Sequence, residues 1–114
     1  MSKINIQFTL FSAFYSPLIS TMTGGFLKEE GLDYDWSVAK PGVTAITALD
    51  DGSADVVQST LSQGFNTLNK GETPKCLHFA QINEMDGFFI TGRNADPNFQ
   101  WSNLQGSEVL VHHG

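Results

Sequence analysis

The sequence is poor in cysteine and in basic residues. Cys76 is the one cysteine among 114 residues, so an intrachain disulfide is excluded. Six Lys and Arg residues stand singly along the chain against twelve Asp and Glu residues, and the formal net charge is -6. Nucleic acids and anionic membrane surfaces are bound by clustered basic side chains. The sequence therefore argues against both kinds of partner.

Recognisable catalytic and metal-binding motifs are also missing. The sequence contains no CxxC, HxH or HxxE spacing for zinc, no GxSxG, no Walker loop and no GxGxxG. His112 and His113 are adjacent, so on a strand they would point to opposite faces. His78 and Cys76 fall inside a predicted strand, where a structural role is expected. No metal or cofactor is expected, and a binding role is favoured over catalysis.

Hydrophobic periodicity predicts strands that alternate with helices. The strands are expected over residues 3–10, 32–39, 55–58, 76–82, 88–91 and 109–111, and the helices over 17–30, 43–51 and 61–70. Ser16 is the expected N-cap of the first helix, and Gly24-Gly25 weakens it. This order is typical of an α/β fold with right-handed crossovers. We expect a three-layer, mostly parallel sheet.

Ligands of such sheets bind outside the carboxyl ends of the strands. That rule selects four loops, at residues 11–16, 40–44, 59–61 and 83–87. The first combines aromatic rings with hydroxyls, and the second and third each open a helix, where free N–H groups attract anions and carbonyl oxygens. A plainer interpretation stays open, in which Phe11 and Phe14 belong to the core and the hydroxyls only cap helices.

Three segments carry a resemblance to a known family. They read GFLKEEGLD at residues 25–33, ALDDGSADV at 48–56 and WSNLQGSEV at 101–109. Together they resemble the solute-binding proteins of ABC importers for nitrate, sulfonates, taurine and thiamine precursors. This NMT1/THI5-like family has the type II periplasmic-binding fold, and the resemblance covers nearly the whole chain.

The resemblance implies that residues 1–104 are the first of two lobes and that 105–114 cross into a second. It also implies a small-molecule ligand between the lobes, a membrane permease as partner, and a periplasmic or lipid-anchored location. A native start at Met1 would instead imply the cytoplasm. The ligand contacts that the resemblance implies are Ser12, Phe14, Tyr15, Gly42, Thr44, Ser59, Thr60, Asn83 and Glu84. His113 is added to them as a residue that could face the cleft.

Two other functions are alternatives to a solute receptor. One is a biosynthetic enzyme on the same fold, for a thiamine pyrimidine or in the menaquinone pathway, with Glu84 and His113 as acid-base candidates. The pyrimidine-forming relatives carry Lys and His where this chain has Ser59 and Gln63, which argues against that activity. The other is a ligand-sensing regulatory domain, which would need a DNA-binding segment that this sequence does not contain.

The resemblance also generates a prediction about the 114-residue chain by itself. Without the opposite lobe and the strand that returns from it, we expect the chain to be marginally stable or to associate through an exposed sheet edge. Thermal denaturation followed by circular dichroism, with light scattering at several concentrations, tests this. A cooperative transition from a monomer in dilute solution would contradict it.

Overall fold

In the computed structural model, which describes residues 2–85 and 89–110, three strands form one parallel sheet. β1 (Ser2–Phe8) is central, β2 (Leu32–Val38) lies on one side of it and β3 (Val56–Gln58) on the other. β1 and β2 pair along their whole length, from Ser2↔Leu32 to Phe8↔Val38. β3 joins at the carboxyl half of β1, where Phe8 pairs with Gln58. The predicted α/β fold with a parallel sheet is therefore confirmed, and it is consistent with one lobe of a periplasmic-binding-like protein.

The core lies under the first helices. Phe8 has no exposed surface, and Ile6 and Met22 are buried beside it. Met22 belongs to α1 (Ser16–Thr23), so the alternating apolar face of β1 is covered by the apolar side of this helix. Because β2 and β3 lie on opposite sides of β1, the right-handed rule for parallel crossovers predicts that α1 and α3 (Ala45–Asp50) cover opposite faces of the sheet.

The single helix that was predicted over residues 17–30 is divided in two. α1 ends at Gly24, and α2 (Phe26–Glu29) begins after Gly25, whose φ is 86°. A Cβ atom at Gly24 would lie 2.6 Å from the Phe26 ring and 2.7 Å from the Ser20 carbonyl oxygen, so a larger residue does not fit. The prediction that Ser16 is the N-cap of this helix was wrong. Tyr15 is the N-cap and makes no side-chain capping hydrogen bond, while Ser16 is the first residue of α1.

The segment between α3 and β3 explains one of the family-like motifs. Gly52 turns the chain with a φ of 73°, and Ser53 donates its backbone N–H to the Asp51 carboxylate. Hydrogen bonds from the Ser53 hydroxyl and N–H hold the pKa of Asp51 below its usual value. Asp55 then accepts hydrogen bonds from the backbone and side-chain amides of Asn5, at 2.8 and 3.2 Å. The motif therefore ends a helix and fastens β3 to β1.

After α4 (Ser62–Asn69), which is the last α-helix in the described residues, the chain packs loosely. The strand predicted over 76–82 is not formed. The strands predicted over 88–91 and 109–111 are also absent at 89–91 and 109–110. Residues 86–88 and 111 lie outside the described residues. Leu77, Phe79 and Phe89 have 88%, 78% and 87% of their surface exposed. Because nothing covers these apolar side chains, a fourth strand would gain little by forming there. A short 3₁₀ helix, Trp101–Leu104, is the one regular element beyond α4 in the described residues, and it was not predicted.

Two global quantities agree with this loose packing. The accessible surface is 9470 Å², against about 6200 Å² expected for a compact protein of this mass. The radius of gyration is 18.3 Å, against about 13 Å expected for this length. The packed unit is therefore the part of the chain up to α4, and residues 72–85 and 89–110 add exposed surface to it.

Because Phe8 joins the sheet to α1, its loss is expected to unfold the packed unit. We expect Phe8→Ala to cost about 3–5 kcal/mol, which a small α/β unit cannot tolerate. Urea denaturation followed by far-UV circular dichroism measures this. Phe65→Ala, in which a 57%-exposed ring is removed from α4, is the control and should change the midpoint little. Equal effects of the two substitutions would contradict this assignment of the core.

Candidate functional site

Three of the four loops selected from the sequence begin at one edge of the sheet. Phe8, Val38 and Gln58 end their strands side by side in the pairing register. Hydrogen bonds continue past the strand ends. The Ala39 N–H donates to the Phe8 carbonyl at 2.8 Å, and the Thr9 hydroxyl donates to the buried Gln58 side-chain oxygen at 2.9 Å. The residues that follow all three strands are therefore held at a common rim.

The fourth loop reaches the first through a side chain. The Asn83 amide donates to the Phe14 carbonyl at 2.9 Å, although the two residues are 69 positions apart. Glu84 follows Asn83 on the exposed surface. The loop at 83–85 is thus placed against the loop at 11–16 without a fourth strand to position it. The last predicted contact, His113, lies outside the described residues.

Within the first loop, the candidate residues divide between local structure and exposed surface. The Ser12 hydroxyl accepts a hydrogen bond from the Phe14 N–H and caps a 3₁₀ turn, Ala13–Tyr15. Tyr15 packs against the core of Ile6, Phe8 and Met22. Phe14 keeps 42% of its surface exposed and contacts the Tyr15 ring edge-on, with centroids 5.3 Å apart. Phe14 is therefore an aromatic ring of this loop with surface available to a ligand, whereas Phe11, with 47% of its surface exposed, is stacked on Trp36.

The hydroxyls of the second and third loops make local hydrogen bonds. Thr44 is the N-cap of α3, and its oxygen lies 3.2 Å from the Thr47 N–H and 2.9 Å from the Thr47 hydroxyl. The Thr60 hydroxyl lies 2.6 Å from that of Ser62. Gly42 has a φ of 83°, which a turn residue other than glycine would adopt only with strain. The capping interpretation therefore holds for Thr44.

Ser59 belongs to a small cavity on the outer side of β3. Its volume is about 60 Å³, and Val57, Gln63, Cys76 and His78 line it together with Ser59. A cavity of this size holds a few water molecules rather than an organic ligand. A larger cavity of about 290 Å³ lies at the opposite end of the sheet, beside Leu32 and Asp33. Neither cavity is the expected cleft, which in a two-lobed protein lies between the lobes.

Sequence reasoning missed three features near the rim. Phe11 and Trp36 stack with centroids 4.9 Å apart, and the Phe8 ring lies edge-on to both. Gln58 joins the rim through Thr9, and the buried side-chain oxygen of Gln7 has no hydrogen-bond partner in the described structure. Gln7 and Gln58 occupy positions in predicted strands, so alternation alone gave no reason to single them out.

Metal-ligand clusters and membrane-spanning helices are both absent from the described residues. Across residues 2–85 and 89–110, no three His, Cys, Asp or Glu side chains are grouped so as to hold a metal ion. Over the same ranges, no helix has the length and apolarity that crossing a membrane requires.

The comparisons with known proteins give one informative relative. A Bacillus subtilis (strain 168) protein described as "Putative binding protein YtlA" is 29% identical to this chain over 110 residues. These residues make up 96% of the chain. The chain spans about a third of that curated relative's length, since the match covers 33% of it. No protein-family model matches the chain, and no solved structure matches it. The relative's name supports a binding role for this chain and leaves the NMT1/THI5-like assignment as a resemblance.

The contact between the two loops leads to a prediction about their mobility. We expect Asn83→Ala to accelerate amide hydrogen exchange in residues 11–16, because the Phe14 carbonyl loses its side-chain partner. Hydrogen-exchange mass spectrometry measures the change, which should be severalfold. Glu84→Ala, at the exposed neighbouring position, is the matched control. Unchanged exchange in the Asn83 variant would show that the hydrogen bond does not order the first loop.

Proposed function

We propose that this chain is the first lobe of a solute-binding component of an ABC-type importer and that it captures a small organic molecule without converting it. One observation carries the proposal, which is that the loops after all three parallel strands meet at one rim. Asn83 brings a fourth loop to the same rim through Phe14. The relative described as a binding protein supports the general role.

The rim favours an aromatic or heterocyclic ligand. Phe14 offers a half-exposed ring, whereas the hydroxyls of Ser12 and Thr44 already take part in local hydrogen bonds. Of the basic residues, only Lys40 lies within the four rim loops. A flat ring that stacks on Phe14 and bonds to backbone amides fits this surface better than a compact, highly charged anion. A carboxylate or sulfonate carried by such a ring remains within this ligand class, because the first turn of a helix attracts anions.

The remaining parts of the function follow from this proposal. The second wall of the cleft would come from a second lobe, and closure of the two lobes would bury the ligand. A membrane permease would receive the closed complex, and the protein would act outside the cytoplasm. Catalysis is not part of the proposal, because the sequence carries no recognisable catalytic motif.

Calorimetric titration of the full-length protein tests the proposal. Pyrimidines, aromatic carboxylates, aromatic sulfonates and nitrate are each added, and the aromatic compounds are expected to bind. We expect Phe14→Ala to weaken that binding about tenfold or more, because a stacked ring loses its partner. Phe65→Ala removes a ring that is more exposed than Phe14, 57% against 42%, and that belongs to α4 and not to a rim loop, so this variant should bind as the unchanged protein does.

The outcomes separate the components of the proposal. Binding of nitrate with no aromatic compound bound would keep the receptor role and overturn the ligand class. No binding by any compound would count against the receptor role itself. Chemical change of a bound compound, detected by mass spectrometry of the recovered ligand, would show an enzyme on this fold.

A further inference from the structure

We propose that the outer edge of β2 pairs with the same edge of a second copy of this chain, in an antiparallel arrangement centred on Ser37. This inference is independent of ligand binding. It begins from the strand order, in which β2 is an outer strand whose far side pairs with no other strand in the described structure. The outer side of β3 differs, because residues 76–79 face it across the 60 Å³ cavity.

The hydrogen bonds of β2 show which of its backbone groups are free. Ala39 donates its N–H to the Phe8 carbonyl, so odd-numbered residues of β2 direct their backbone groups towards β1. Even-numbered residues therefore direct theirs outwards. Among these, the Tyr34 N–H is already taken by the Asp33 carboxylate, at 2.9 Å. The outward N–H groups that remain within the strand's carboxyl half are those of Trp36 and Val38.

These free groups complement themselves in one register. In an antiparallel pair centred on Ser37, Trp36 of each copy lies opposite Val38 of the other. Such a pair exchanges both N–H···O bonds, so all the free donors are satisfied. The two Ser37 residues then face each other in the narrow, non-hydrogen-bonded position, which suits small side chains.

The positions of charge favour the same register. Centred on Ser37, each Asp35 lies opposite Ala39, and Asp33 lies opposite Pro41. Centred on Asp35, the two carboxylates would face each other, which is destabilising. Centred on Trp36, the Val38 carbonyl would face the Tyr34 N–H that Asp33 occupies. Lys3 already pairs with Asp35 at 2.8 Å, which reduces the acidity of this edge further.

An apolar surface borders the proposed contact. Leu10, Phe11, Trp36 and Val38 keep 53%, 47%, 50% and 44% of their surface exposed at the carboxyl end of β2. Each would contribute roughly 100 Å² if covered, so together they give about half of the 800 Å² that one partner buries in a standard interface. We therefore expect a weak dimer, with a Kd of roughly tens to hundreds of micromolar.

Sedimentation analysis across a range of concentrations tests the proposal. The unchanged chain should shift from monomer to dimer as its concentration rises. Ser37→Asp places two carboxylates face to face at the centre, and it should raise the Kd about tenfold or more, with partial recovery at high salt. Ser37→Asn has nearly the same shape without the charge and should retain the dimer. Because Ser37 is exposed, both variants should keep the fold.

A cross-linking experiment checks the register independently. In a Cys76→Ser background, Ser37→Cys should form a disulfide-linked dimer on oxidation, because the facing Cα atoms would lie about 4.5 Å apart. Asp35→Cys, on the same face of the same strand, is the matched control and should cross-link at least tenfold more slowly. A monomer at millimolar concentration, association that Ser37→Asp does not weaken, or equal cross-linking at both positions would overturn the proposal.

Discussion

The pairing of β1 with a strand on each side is the constraint on which the rest of the structure depends. Its even-numbered residues direct their backbone groups to β2 and its odd-numbered residues direct theirs to β3, as the bonds of Phe8 and Asn5 show. Both neighbouring strands run parallel to β1, so all three strands end at the same edge of the sheet. The rim of loops, the packing of α1 and the free edge of β2 are consequences of this one arrangement.

The packed part of the fold was predictable because local patterns and global structure agree there. Alternation over residues 3–10 and 32–39 identified β1 and β2 to within two residues, since one face of each meets a helix. Residues 77–79 alternate as well, yet no strand forms over 76–82. A strand is stabilised by its neighbours and by the layer that covers it, and Leu77 and Phe79 have no such cover in the described structure. Periodicity identifies a side chain suited to burial but does not supply the surface that buries it.

The candidate site was predictable in position and less so in detail. The rule for parallel sheets placed three of the four loops at one rim, and the fourth reaches it through Asn83 without the strand from which it was selected. It could not foresee that Tyr15 would pack into the core, that Thr44 would cap α3, or that Asn83 would bind the Phe14 carbonyl. Each of these depends on a side-chain orientation that residue type alone does not determine, since Ser and Thr serve equally as caps and as ligand contacts. The stacked pair of Phe11 and Trp36 depends on the β1–β2 register, which the sequence leaves open.

The Asp33 carboxylate accepts a hydrogen bond from the Tyr34 N–H, and this bond limits the size that an assembly of this chain could reach. A sheet with two open edges can add copies without limit and produce fibres. Here the Asp33 carboxylate occupies part of the β2 edge, and residues 76–79 lie beside the β3 edge. Contact through a twofold axis uses up the only long stretch of unoccupied strand in the described structure, so growth would stop at a finite, closed particle.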